Sequence, residues 1–272
     1  MKRRVWLSAL LFAGLAGLLW IVLASRQTTY QGKTLPQWAS QFHTNRWPLD
    51  KQAEAAIKHF GTNAIPVLLE MMLRQQKPYR IWLGAHAPKK WLTWFRISSG
   101  QEYKDEIDAG RSAAAAAFKA LGDAAGPAVP GLIGLLHHKD QRIRYLAVFA
   151  LRTLGPITKP ALPDLIECLK DPEFTIRDDA VISMGTIHAE PERVVPIVME
   201  FLEKYRANVI LCSDAIGALG AFGADARQAV PMLVPFLSDS RPSISSAATN
   251  AITLIDPEAI GRSNPPIPTG PR

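Results

Sequence analysis

The side chains best suited to hold a partner fall in one stretch of this 272-residue chain. From Met71 to Gln101 it carries Arg74, Lys77, Arg80, Lys89, Lys90 and Arg96 with no Asp or Glu, and Trp82, Trp91, Trp94 and Phe95 lie among them. Aromatic and arginine side chains concentrate at the hot spots of protein interfaces, and basic-aromatic surfaces also meet anionic lipid headgroups. Trp82, Lys89, Lys90, Trp91, Trp94 and Arg96 are thus the candidate contacts for a protein partner. The competing reading buries these tryptophans in an irregular hairpin.

Other chemistry is thin. No Gly-rich phosphate loop, GxSxG elbow or HExxH pair occurs, and those are the spacings that phosphate binding, acyl transfer and zinc hydrolysis need. His137 and His138 are adjacent and point to different sides of a helix end, while His43, His59, His86 and His188 are scattered, so no metal-ligand set forms. Cys168 and Cys212 make neither a CxxC pair nor a disulfide framework. Neither catalysis, a cofactor, a metal nor a small-molecule substrate is expected. Of the net charge of +7, Lys2, Arg3 and Arg4 supply three, and the remainder is too small to argue for nucleic acid.

The elements that must position these residues repeat. Pro66-Val-Leu68-Leu69-Glu-Met71-Met72 returns as Pro130-Gly-Leu132-Ile133-Gly-Leu135-Leu136 and as Pro163-Asp-Leu165-Ile166-Glu-Cys168-Leu169. Copies at Pro196 and Pro231 follow, the prolines being 64, 33, 33 and 35 residues apart. Apolar positions two, three, five and six residues past the proline make one helical face, and the proline suits a first turn, whose N–H groups have no intrahelical partner. Asp164, Glu167, Glu200 and Glu70 fall on the opposite, outward side, a possible acidic stripe.

Nineteen residues before three of these prolines stand Arg111, Arg144 and Arg177, each with Ala three residues on, marking a first helix that packs closely through alanine. This ladder of Arg111, Arg144 and Arg177 reads as structural, pairing with carboxylates or helix ends of neighbouring units such as Asp140 or Asp178. Gly122 and Gly155 close the first helix and suit a left-handed terminal residue. Cys212 and Ser245 take the next two ladder positions, so the arginines stop after three rungs. The first gap, two periods long, predicts a degenerate unit at about 74–110.

At the amino terminus, Lys2-Arg3-Arg4 precedes an uncharged run from Val5 to Ser25 with Trp6 and Trp20 near its ends, long enough to span a bilayer. The basic cluster keeps residues 1–4 cytoplasmic and sends the remainder across, to the periplasmic side. Cleavage near Ala24 is the alternative, giving a secreted chain. Residues 26–50 form a lead-in, 51–260 the repeat domain, and 261–272, with Pro265, Pro266, Pro268 and Pro271, a disordered tail.

The run Asp140-Gln-Arg-Ile-Arg144-Tyr-Leu-Ala147-Val-Phe-Ala150-Leu-Arg-Thr-Leu-Gly155 resembles the HEAT-repeat superfamily, particularly its short bacterial form, which phycobilin lyases share. The resemblance covers roughly 51–260. It implies an all-α α-solenoid of about six stacked antiparallel helical hairpins, here preceded by one transmembrane helix. Such surfaces commonly hold a protein or peptide. The expected function is a non-catalytic, membrane-anchored scaffold binding a protein client. Its alternatives are a phycobilin-lyase-like factor attaching chromophores to client cysteines, and a self-assembling structural spacer of the cell envelope.

Overall fold

The computed structural model describes residues 28–42, 50–94 and 98–259. The predicted span Val5–Ser25, the cleavage site near Ala24, Arg96 with Phe95, and the tail at 261–272 lie outside these residues. Among the described residues no helix is long and apolar enough to cross a membrane.

The lead-in folds as a cap on the stack. Strands β1 (Thr29–Tyr30) and β2 (Lys33–Thr34) pair antiparallel around Gln31-Gly32. Both turn residues have positive φ, 49° and 76°, as a tight two-residue hairpin requires. Helix α1 (Leu35–Ala39) follows, with the Gln37 side chain accepting from the Thr34 N–H at 2.8 Å. Trp38 is buried and its Nε1–H donates to the Tyr30 carbonyl at 2.9 Å, which ties helix to hairpin.

The stack begins with α2 (Lys51–Phe60) and α3 (Ala64–Leu73), against both of which α1 packs. Two short helices come next, α4 (Pro78–His86) and α5 (Lys89–Trp94). Four further first helices are α6 (Gly100–Leu121), α8 (Gln141–Leu154), α10 (Phe174–Ile187) and α12 (Val209–Ala221). Their returning partners are α7 (Val129–Leu136), α9 (Leu162–Cys168), α11 (Pro191–Lys204) and α13 (Val230–Leu233). Helix α13 runs on as a 3-10 segment through Ser238, where Pro235 blocks the regular bond pattern. Helix α14 (Pro242–Ile255) closes the stack without a described partner helix.

The stretch expected to be a degenerate rung takes a different place. Helices α2 and α3 pack directly on α6, so the first and second hairpins are neighbours and α4–α5 is an insertion hung outside them. The doubled proline spacing measures a loop filled with helix. Helix α6 is accordingly long, 22 residues, because its first turns carry α4 and its later turns carry the stack.

Small residues set the closeness of the first helices. A methyl group on Gly185 of α10 would meet Ala218 Cα of α12 at 2.9 Å and Ala221 Cβ at 3.1 Å, and one on Gly220 would meet Ala251 Cα of α14 at 2.9 Å. Gly122 and Gly155 have φ of 54° and 64° with ψ of −132° and −135°. The positive φ matches the expectation, but ψ lies away from the left-handed helical value, in territory open to glycine alone. In the fourth hairpin His188 holds this position instead, truly left-handed at φ 49° and ψ 50°, with its ring stacked on Phe222 at 5.2 Å.

Candidate functional site

The insertion concentrates exposed apolar surface. Tyr79, Trp82, Trp91 and Trp94 are 63%, 62%, 61% and 80% exposed, and Leu73 at its root is also open. Lys77, Lys89 and Lys90 stand exposed among them. Helix α4 turns Gly84 onto α6, where an added Cβ would lie 2.3 Å from the Gly100 nitrogen. The two backbones therefore cross through paired glycines. Arg80 lies 4.4 Å over the ring of buried Tyr103, whose hydroxyl accepts from the Lys77 N–H at 3.3 Å. Trp82 stacks on His86 at 5.0 Å. Among the described residues no element packs extensively on α5, whose Lys89, Lys90, Trp91 and Trp94 are all exposed. Five of the candidate contacts thus share one protrusion; Arg96 is outside the described residues.

A groove of about 1200 Å3 opens beside the insertion's root, between the cap, α3 and α6. Leu35, Val67 and Met71 give it an apolar floor, and Glu70, Arg74 and Glu106 line it as charges. Glu70 also starts the outward row of the second helices, continued by exposed Glu167 and Glu200. Asp164, expected in the same row, is half-buried and bonded to His137 Nε2 at 2.7 Å across two hairpins.

The three ladder arginines staple successive connecting loops. Arg111 is buried; its Nε–H donates to the Arg74 carbonyl at 2.9 Å and its Nη1 reaches Asp140 at 3.3 Å. Arg144 grips Asp171 through two bonds of 2.8 and 3.1 Å and caps the His138 carbonyl at 2.9 Å. Burial would raise the Asp171 carboxyl, but the Arg144 bond, the Glu173 N–H and Arg177 together hold it below the usual range. Arg177 Nη1 donates to the Asp171 and Pro172 carbonyls at 2.6 and 2.8 Å. Loop carbonyls are orphaned acceptors at a helix–loop boundary, and a guanidinium satisfies several at once.

Sequence spacing missed the fourth staple. Cys212 vacates the arginine position, and Arg241, from the start of α14, caps the Arg206 carbonyl at 3.1 Å while pairing with Asp239 at 2.7 and 2.8 Å. That pairing drops the Asp239 carboxyl to about 2. The signal available was Asp239 itself, which stands 27 residues after Cys212 as Asp171 stands after Arg144.

Also missed was a carboxyl pair. Asp178 of α10, named above as an arginine partner, instead meets Asp214 of α12, and burial followed by that contact raises its carboxyl to about 7. One of its oxygens has no hydrogen-bond partner. The arginine beside it, Arg152, reaches Asp179 at 3.2 Å. Cys168 and Cys212 are free and buried, and burial pushes the Cys168 thiol up to about 12, far from a reactive thiolate.

With this geometry in place, the family of HEAT repeats matches residues 103–185 and, in an overlapping register, 129–212. The match spans the second hairpin to the start of the fifth. Helical solenoids recur among solved structures. An engineered protein is 15% identical over 81% of this chain and 96% of its own, with a TM-score of 0.46. A designed armadillo repeat protein in complex with the peptide (KR)4 is 16% identical over 82% of this chain and all of its own, also at 0.46. The complex of CpcE and CpcF of phycocyanin lyase from Nostoc sp. PCC7120 is 26% identical over 55% of this chain and 61% of that chain, at 0.45. No curated protein matches. The chain is an all-α helical-repeat solenoid whose residues 103–212 match the model of HEAT repeats.

Proposed function

We propose that this chain is a non-catalytic scaffold that holds a protein client at a membrane. The observation that carries the reading is the groove of about 1200 Å3, whose edge residue Glu70 continues into the exposed row of Glu167 and Glu200. An apolar floor with a few charges at the rim suits an extended or helical segment of another protein, the apolar part giving affinity and the charges setting register. The acids select a segment with basic residues. In this reading Val5–Ser25 spans the bilayer, residues 1–4 stay cytoplasmic and the solenoid faces the periplasm.

Photocrosslinking in intact cells tests it. A photoreactive residue at Val67 or Met71 in the groove should yield adducts with one client, and Glu70→Arg with Glu106→Arg should remove them. Adducts confined to the far end, at Thr249 for instance, would sink the groove as the client site. A phosphatase fused after Arg272 should be active only if the solenoid is exported.

A further inference from the structure

We infer that the α4–α5 insertion is a membrane foot that lays its tryptophans and lysines on the anionic surface of the bilayer from which the chain emerges. The inference rests on the membrane-tethered reading above and goes beyond it, assigning to lipid the residues that sequence alone offers to a protein.

Placement is the first argument. Thr28 lines the same groove as Leu73 and Arg74. Helix α4 starts at Pro78, four residues after Arg74, so at most about 14 Å of extended chain separates the groove rim from the insertion. The chain therefore enters the stack, at Thr28, on the side that carries the root of α4–α5 and not beside α14.

Chemistry is the second. Tryptophan and tyrosine settle at the headgroup level of a bilayer, because the ring is apolar while its N–H or O–H wants water or lipid oxygen. Tyr79, Trp82, Trp91 and Trp94 are all more than half exposed, an unusual cost to leave in water. Lys77, Lys89 and Lys90 accompany them, and no acid occurs from Met71 to Gln101 to repel an anionic headgroup. A protein pocket would select one ring shape and one charge register. A lipid surface requires only aromatic and cationic groups on one protrusion, as here.

Paired glycines at Gly84 and Gly100 fix α4 on α6, while α5 reaches outward from it. Span and foot together give two points of attachment, which sets the tilt of the solenoid over the bilayer. The groove then opens near the membrane surface, where a client emerging from the bilayer would meet it.

The test uses the full chain in vesicles, with a bimane label at Thr93→Cys on α5 or at Thr249→Cys on α14. Both threonines are exposed and bond back to the carbonyl four residues earlier, at 3.0 and 2.9 Å, so they are matched sites. The native cysteines are buried and should stay unlabelled. In vesicles of phosphatidylcholine with phosphatidylglycerol, headgroup-level nitroxide lipid should quench the label at 93 at least threefold more than at 249. In phosphatidylcholine alone the quenching at 93 should weaken. Lys89→Glu with Lys90→Glu should remove most of it while the chain still floats with the vesicles, each lysine contributing about fivefold to surface affinity. A floating chain whose label at 93 is no better quenched than at 249 overturns the foot, leaves the tether intact and returns the patch to a protein partner. A chain that floats with neither vesicle overturns tether and foot together.

Discussion

Two regions of this molecule solve opposite problems with similar residues. Helices α10, α12 and α14 bring glycine and alanine backbones to within van der Waals contact and bury most of their apolar side chains, leaving Val209, Ile210 and Leu254 exposed. The α4–α5 insertion also uses a glycine crossing, at Gly84 and Gly100, yet leaves three tryptophans in water. Arginines follow the same division. In the stack they are consumed by loop carbonyls and aspartates, whereas Lys89 and Lys90 in the insertion stand exposed on a helix that carries no acid. The difference separates residues that hold the fold from residues offered outward, although both kinds read as aromatic, basic or small in the sequence.

Overfilling the stack should have the largest effect. Gly185→Leu must push α10 from α12 against backbone atoms, and we expect a loss of at least about 3 kcal/mol in urea unfolding. Gly134→Ala, with nothing within 4 Å of its added methyl, should instead gain up to about 1 kcal/mol of helix propensity. Similar losses for both would mean that the first helices are not close-packed.

Removing a staple comes next. Arg144→Ala removes both guanidinium bonds from Asp171 and uncaps the His138 carbonyl in a largely buried site, and a loss of about 3 kcal/mol is expected. Arg193→Ala, whose pair with Glu190 is exposed, should change stability by less than about 1 kcal/mol. Equal effects would place the ladder among ordinary surface pairs.

Much of this was legible. Proline spacing located the second helices, and Arg111, Arg144 and Arg177 were readable as one register because each loop presents the same orphan carbonyls. The insertion was misplaced because a gap of 64 residues fits two periods equally well as one period and a helical loop; the packing of α2 and α3 directly on α6, which no local spacing reveals, distinguishes them. Arg241 was hidden because it reaches its loop from a cap and not from the ladder position. In the fourth hairpin Pro196 lies inside α11, since that helix starts five residues early at Pro191, so the proline rule shifts there.

Within the stack, the Asp178–Asp214 contact predicts a pH dependence. Asp178 keeps its proton in the folded state up to about pH 7 but releases it near 3.8 when unfolded. The folded state therefore binds more protons between these values, and the group's stabilisation is lost as pH rises through that window. Asp178→Asn should melt a few degrees above the parent at pH 8, with the gap closing toward pH 4. A constant gap across that range would show that the two carboxyls do not share a proton.

The smallest global effect is expected where the exposed aromatics are largest. Replacing Trp82, Trp91 and Trp94 together by alanine removes rings that bury little against the fold, so unfolding free energy should move by about 0.5 kcal/mol or less per site. Gly84→Ala differs in kind: its methyl meets the Gly100 backbone, so α4 must lift from α6. Trypsin should then cut at Arg80, Lys89 or Lys90 much faster, while the melting of the stack barely changes, because α2 and α3 reach α6 without help from the insertion. If the tryptophan variant unfolds as readily as Arg144→Ala, the rings belong to the core of the folded chain, and the division between a closed stack and an offered surface fails at its most exposed residues.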